Sequence, residues 1–165
     1  MKETEQLIYT KGPSSLEYRL FGKLSLEPMD FVVLINRLSM FVVFFWFGFL
    51  KVMGLSPAES LIDHLYKVTI SSYVSFNHFI LFFGVFECMI GIMWLIPFLT
   101  IPTFTLFIIQ MFTTFLPFYF LTDEVIPNGY SLTLTGQYIV KNIVLVSCAF
   151  TVFFNYKFKT KLGLT

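Results

Sequence analysis

The chain has 165 residues, of which 56% are hydrophobic and only 13% are charged, and its formal net charge is +1. Soluble globular chains carry roughly 25% charged residues, whereas apolar runs of about 20 residues are typical of membrane helices. The composition therefore excludes a soluble globular domain. The near-zero net charge, without a basic stripe, argues against nucleic acid as a partner.

The N-terminal segment, residues 1–30, is polar and mixed in charge. We expect it to be a cytoplasmic juxtamembrane segment without a cleavable signal peptide, since it has no apolar core of the kind that such peptides carry. Ser14 and Glu17 form a capping pair, and apolar residues follow at helical spacing. This pattern predicts a short helix at the membrane interface; the alternative is a docking surface for a soluble partner.

Four apolar segments follow, each long enough to cross about 30 Å of hydrocarbon. They cover residues 31–53, 76–96, 101–121 and 135–156, which together form a predicted transmembrane domain, 31–156, before a basic tail at 157–165. Lys and Arg concentrate in the N-terminal segment and the tail, so the positive-inside rule predicts that both termini are cytoplasmic. The predicted fold class is an all-α membrane protein, a four-transmembrane-helix bundle with short interfacial helices.

The connections between these segments carry their own signals. Residues 97–100 allow only a tight turn, so the second and third segments should form an antiparallel hairpin. In the connection between the first and second segments, Ser56 and Glu59 are typical of a helix start. We expect a short amphipathic surface helix there, which carries His64. The connection at 122–134 has turn residues and predicts a polar loop.

Glu87 places a carboxylate near the middle of the second apolar segment. An ionised group at the bilayer centre costs at least about 2.5–3.5 kcal/mol, so Glu87 should face a partner or a polar cavity. Gly84, Cys88 and Gly91 share its helical face, and small residues allow helices to approach closely. We therefore expect this face to point into the bundle.

The other spans offer candidate partners for Glu87. At 1.5 Å per residue, Glu87 lies about 16 Å and Lys141 about 9 Å from the outer boundary, so a contact between them is within reach. Arg37 approaches from the inner side, and Lys51 is expected to snorkel at the outer interface. The full candidate set for an intramembrane polar network or ligand site is Glu87, Lys141, Arg37, Lys51, Asn142, Gln110 and Gln137, and no catalytic residue is assigned.

Two interpretations of this set stay open. The groups either neutralise one another and hold the helices in register, or they form a site for a neutral or anionic ligand. The cysteines, Cys88 and Cys148, form no CxxC motif; we interpret them as packing residues, with a redox pair as the alternative. His64 and His78 are isolated in the sequence, so no metal site is predicted.

Three segments carry motifs that resemble those of DoxX-like membrane proteins. Asn36-Arg37 followed by FWFGFLKVMG resembles the first-helix motif, an arginine and then W-x-G-x-x-K. GVFECMIGIMWLIP resembles the second-helix G-x-x-E-x-x-x-G segment, and GQYIVKNIVLVSC resembles the fourth-helix G-x-x-x-x-K-N-x-x-L motif. The likeness is greatest to the branch that contains the reactive-chlorine-resistance inner-membrane protein, and it covers roughly residues 31–155.

The resemblance implies a four-helix bundle in a bacterial inner membrane. Relatives include membrane subunits of thiosulfate:quinone oxidoreductase and a membrane component of an oxidative-stress complex that associates with soluble redox enzymes. Quinone becomes a candidate ligand, and soluble or membrane redox proteins become candidate partners. The resemblance also implies a set of family-type positions: Arg37, Lys51, Glu87, Lys141 and Asn142.

Three functions follow from the sequence. The first is a non-autonomous membrane subunit of a redox or oxidative-stress-response system that binds quinone or a small anion. The second is a non-catalytic membrane scaffold or assembly protein, and the third is a small proton-coupled transporter or channel. A channel of four spans would require a homo-oligomer.

Overall fold

The computed structural model of the protein describes residues 28–163, and over this range it contains helices and no strands. The helices are α1 (Pro28–Val52), α2 (Glu59–Thr69), α3 (Phe76–Trp94), α4 (Thr100–Phe115), α5 (Pro117–Phe120), α6 (Thr122–Val125) and α7 (Leu134–Lys161), with a 3₁₀ turn at Pro97–Leu99. The predicted N-terminal helix around Ser14 and Glu17 lies outside the described residues.

Four segments are long and apolar enough to cross a membrane: Pro28–Val52, Phe76–Trp94, Pro97–Phe120 and Leu134–Lys161. The predicted fold class, an all-α membrane protein with four spanning helices, is confirmed. Large apolar side chains such as Trp46, Phe82 and Phe112 are exposed around these helices, where a bilayer supplies an apolar solvent. The chain is a multi-pass integral membrane protein.

The described chain divides into two compact units within α1. The first contains the opening turns of α1 up to Ile35, and the second begins at Asn36 and contains every other helix. The description below concerns the second unit.

Glycines bring α1 and α3 into close antiparallel contact. A Cβ atom added to Gly48 would lie 2.6 Å from the carbonyl oxygen of Gly84, and one added to Gly91 would lie 2.8 Å from the backbone nitrogen of Phe45. Such distances exclude any side chain at these positions, so the helices meet backbone to backbone. The expectation that the glycine face of α3 points into the bundle is confirmed.

Aromatic and aliphatic side chains fill the space where α1, α3 and α4 meet. Met40, Ile90, Trp94 and Phe107 are fully buried there. The Phe107 ring lies 5.5 Å from the ring of Phe44 and 5.7 Å from that of Trp94, both in tilted or edge-on geometry. This packing supplies the core on which the polar side chains are held.

The third span links this core to α7. Phe104 of α4 stacks on Phe153 with ring centroids 4.2 Å apart, and meets the edge of Phe150 at 5.2 Å. The span is interrupted at Leu116, because Pro117 has no N–H for the helical hydrogen bond, and α5 continues it for one turn. The tight turn predicted at residues 97–100 contains the 3₁₀ turn.

Short helices lie at the end of the bundle where α1 ends and α7 begins. The amphipathic helix predicted in the first connection is confirmed as α2, which begins at Glu59. Just before it, the Ser56 Oγ atom accepts a hydrogen bond of 3.3 Å from the Ala58 N–H. The second connection, predicted as a polar loop, contains α6. His64 of α2 contacts Glu124 of α6, with Nδ1 2.9 Å from the nearer carboxylate oxygen.

Charge divides the two ends of the second unit. The end near α2 and α6 carries four acidic groups, of which Asp123 and Glu124 are exposed and Glu59 and Asp63 are half-buried, and we term it the acidic end. The opposite end contains the 3₁₀ turn and the last turns of α7, and its charged side chains between residues 36 and 163 are all basic: Arg37, Lys157, Lys159 and Lys161. We term it the basic end.

Candidate intramembrane polar site

Glu87 forms a buried ion pair with Lys51. The Nζ atom of Lys51 lies 2.5 Å from Oε2 of Glu87, and the two side chains are only 7% and 11% exposed. Lys51 comes from the last turn of α1 and Glu87 from the middle of α3. Because an ammonium and a carboxylate buried together neutralise each other, the pair lowers the cost of holding both in a low-dielectric interior.

Gln110 of α4 completes this cluster. Its Nε2 atom donates a hydrogen bond of 3.0 Å to Oε1 of Glu87, and the Gln110 side chain is fully buried. Both oxygens of Glu87 are therefore hydrogen-bonded, one to α1 and one to α4. The three side chains, which we term the Lys51–Glu87–Gln110 cluster, join three spanning helices at one point.

Lys51 retains hydrogen-bonding capacity in this cluster. An ammonium has three N–H donors, and within the described chain the only hydrogen bond of Nζ goes to Glu87. The Phe83 ring also faces Nζ, with its centroid 5.6 Å away, which is a cation–π contact. The arrangement presents spare donors beside an aromatic ring.

The observed partner of Glu87 differs from the expected ones, Lys141 and Arg37. The estimate from the sequence assumed that all spans end level at the outer boundary, which placed Lys51 at the interface. In the structure Gly48 packs against Gly84, and α3 begins at Phe76, about 12 Å beyond that contact along its axis. Lys51 consequently lies inside the bundle and is buried, so the snorkelling expectation is wrong.

Arg37 forms a second polar contact, towards the basic end. Its Nη1 atom donates to the carbonyl oxygen of Trp94 at 2.9 Å, and Nη2 donates to Oγ1 of Thr100 at 2.6 Å. The Thr100 hydroxyl donates in turn to the carbonyl oxygen of Pro97 at 2.5 Å. The guanidinium thereby satisfies acceptors on both sides of the turn between α3 and α4, where helix ends leave carbonyl groups free.

Sequence reasoning did not single out Thr100 or the carbonyl of Trp94 as partners. A threonine next to a turn is too common to mark a site, and a backbone carbonyl has no signal in sequence. The position of Arg37 inside the first apolar segment was the available hint, because a guanidinium buried among apolar side chains requires acceptors.

Three candidates lie on α7, where no hydrogen bond among the described residues joins them to Glu87. Lys141 is exposed, and its Nζ atom lies 5.0 Å from the centroid of the Tyr138 ring. Gln137 donates to the carbonyl oxygen of Leu132 at 3.4 Å, and Asn142 is half-buried. Glu87 is therefore hydrogen-bonded to Lys51 and Gln110. Within the described chain it has no hydrogen bond to the three candidates on α7.

The cysteines and histidines also have definite positions. Cys88 and Cys148 are free thiols, and Cys88 donates to the carbonyl oxygen of Phe45 at 3.5 Å, so it packs against α1. His64, expected to be isolated, contacts Glu124, and His78 lies 2.5 Å from the Ser75 hydroxyl.

Comparisons of the chain with protein-family models, curated proteins and solved structures found no match. The resemblance to DoxX-like proteins therefore stays a prediction that rests on the sequence motifs. Of the positions which that resemblance implies, the structure brings Lys51 and Glu87 into contact.

Proposed function

We propose that this protein is a DoxX-like membrane subunit of a redox or oxidative-stress-response system, and that the Lys51–Glu87–Gln110 cluster binds the polar head of a quinone or a small anion. The observation that carries the proposal is the ion pair inside the bundle, whose ammonium keeps spare donors beside Phe83. Buried ionisable groups in membrane spans commonly mark ligand or proton sites.

The residues present fit such a ligand by their chemistry. A quinone carbonyl accepts hydrogen bonds, which the spare donors of Lys51 supply, and a quinol hydroxyl donates one, which Glu87 can accept. The Phe83 ring offers an apolar surface for the ring of the ligand. A small anion would instead bind to the Lys51 ammonium, which would then have two negatively charged partners, the anion and Glu87.

Quinone retention tests this proposal. Detergent-purified protein should carry quinone that can be extracted and quantified, and Lys51→Met should lower the amount per protein at least tenfold. Lys141→Met is the matched control, since Lys141 is exposed and no hydrogen bond among the described residues joins it to Glu87, and it should retain the wild-type amount. Equal loss in both variants, or wild-type protein without quinone or a bound anion, would count against the site.

The second candidate function is a non-catalytic membrane scaffold or assembly protein. It is favoured by the hydrogen bonding of both Glu87 oxygens and of Arg37 across α1, α3 and α4, because closed polar networks can hold helices in register. In that case Lys51→Met should reduce stability while the association with partner proteins persists in the folded fraction. A proton-coupled transporter or channel has no comparable support and stays a prediction.

We also infer the setting in which this function operates. The positive-inside rule, applied to the basic end, supports a cytoplasmic location for both termini in a bacterial inner membrane. Soluble or membrane redox proteins are the proposed partners, and a homo-oligomer is a further one. Accessibility labelling of a cysteine introduced near Gly163, in sealed vesicles of known orientation, tests the location of the C-terminal end.

A further inference from the structure

A groove lies at the basic end between α4 and the last turns of α7. Its volume is about 680 Å³. Apolar side chains form one part of its lining, namely Ile101, Phe154 and Phe158, and polar groups form the other part, namely Tyr156, Lys157, Thr160 and Lys161. The groove surface is therefore mostly apolar, and two lysines, Lys157 and Lys161, border it.

The apolar part of this groove is open to the surroundings of the bundle. Ile101 is 48% exposed, Phe154 60% and Phe158 65%. In a membrane such side chains face acyl chains. Lys157 and Lys161 are spaced four residues apart, so they lie on one face of α7, and both are exposed.

The length of α7 sets the depth of these lysines. Tyr138 and Lys157 are about 28 Å apart along the helix at 1.5 Å per residue, which matches a hydrocarbon thickness of about 30 Å. Tyr138 then lies at one interface, where aromatic rings are enriched, and Lys141 reaches that interface by extending over the Tyr138 ring. Lys157 and Lys161 consequently lie at the headgroup level of the opposite leaflet.

Charge selects the kind of lipid. The Lys157 ammonium rests over the ring of Phe153 at 5.2 Å, and Lys161 follows one turn later on α7. Basic side chains at headgroup depth attract anionic lipids. A zwitterionic headgroup would bring its own cation towards these lysines.

We propose that this groove is a specific site for one anionic phospholipid, whose phosphate lies between Lys157 and Lys161 and whose acyl chain runs over Ile101, Phe154 and Phe158. The bound lipid fixes the end of α7 against α4 at the membrane surface. The site is separate from the Lys51–Glu87–Gln110 cluster and does not depend on the function proposed for that cluster.

Native mass spectrometry of the full chain, released from detergent, tests this site. The protein is titrated with phosphatidylglycerol and with phosphatidylcholine of the same acyl chains. We expect one molecule of phosphatidylglycerol to be retained in preference to phosphatidylcholine. The double variant Lys157→Gln/Lys161→Gln should weaken its retention about 30-fold, whereas Lys67→Gln, at the acidic end, should leave it unchanged.

A second variant distinguishes binding of the lipid in the groove from non-specific electrostatic attraction to the lysines. Ile101→Trp fills the apolar region without changing the charge, and the exposure of Ile101 leaves room for the larger ring. It should also lower the retention of phosphatidylglycerol. Equal retention of the two lipids, an unchanged double variant, or full binding by Ile101→Trp would overturn the proposal. Displacement of the lipid by inorganic phosphate alone would do so too, because the site would then bind phosphate and not a lipid.

Discussion

The coupling between Lys51 and Glu87 is a sharp test of the structure. At the observed 2.5 Å and an effective dielectric constant of about 20, the attraction of two unit charges is about 6–7 kcal/mol before desolvation is subtracted. Removal of one partner from a buried pair leaves an uncompensated charge and typically costs about 3–5 kcal/mol. We expect losses of this size for Lys51→Met and for Glu87→Leu.

The double variant Lys51→Met/Glu87→Leu should lose much less stability than the sum of the two single losses. With both charges replaced by apolar side chains, the remaining cost comes mainly from the Gln110 amide, which loses its acceptor and costs about 1–3 kcal/mol. The coupling free energy between the two positions should therefore be at least about 3 kcal/mol. The measurement is a double-mutant cycle on unfolding in mixed detergent and SDS, followed by circular dichroism.

An exposed ion pair in the same protein provides the control. Lys67 and Asp63 lie 2.6 Å apart on α2, but their side chains are 62% and 29% exposed. A pair of this kind contributes about 0.3–0.5 kcal/mol, so Lys67→Met should change stability little. If the losses at Lys51 and Glu87 were additive within about 0.5 kcal/mol, the two side chains would not form the ion pair and the description of the cluster would be refuted.

Two further predictions concern the helix contacts around the cluster. Gly48→Ala should destabilise the fold by about 1–3 kcal/mol, because its Cβ would lie 2.6 Å from the Gly84 carbonyl oxygen; an unchanged SDS midpoint would contradict the close approach of α1 and α3. Arg37→Met should cost about 1–3 kcal/mol or more, since the carbonyl of Trp94 and the hydroxyl of Thr100 lose their donor. Hydrogen exchange should then increase at the turn between α3 and α4, and protection equal to that of the wild type would argue against the contact.

Much of the fold follows from the sequence because a bilayer restricts the choice of structure. Each spanning segment must satisfy its backbone groups internally, so an apolar run of about 20 residues becomes a helix. The four spans, the amphipathic α2 and the inward glycine face of α3 were all predictable on this basis. Glu87 could also be recognised as a residue in need of a partner, since a lone charge there is costly.

The identity of that partner was not predictable from the sequence. Rise arithmetic placed Arg37 and Lys141 within reach of Glu87 and put Lys51 at the interface, because it could not show how far the helices are staggered. That stagger is set by the Gly48–Gly84 contact, which is a property of two packed helices and not of either segment. Gln110 was on the candidate list, but its hydrogen bond to Glu87 depends on the rotation of α4 in the bundle.

The sequence by itself determined that this chain crosses a membrane four times and that it buries a carboxylate between helices. The reason is local, because hydrophobicity and helical periodicity act within one segment. Only the tertiary structure decided that Lys51 neutralises Glu87, that Arg37 closes the turn between α3 and α4, and that Lys141 faces outwards over Tyr138. Those outcomes depend on distances between segments, which are fixed only when the helices pack against one another.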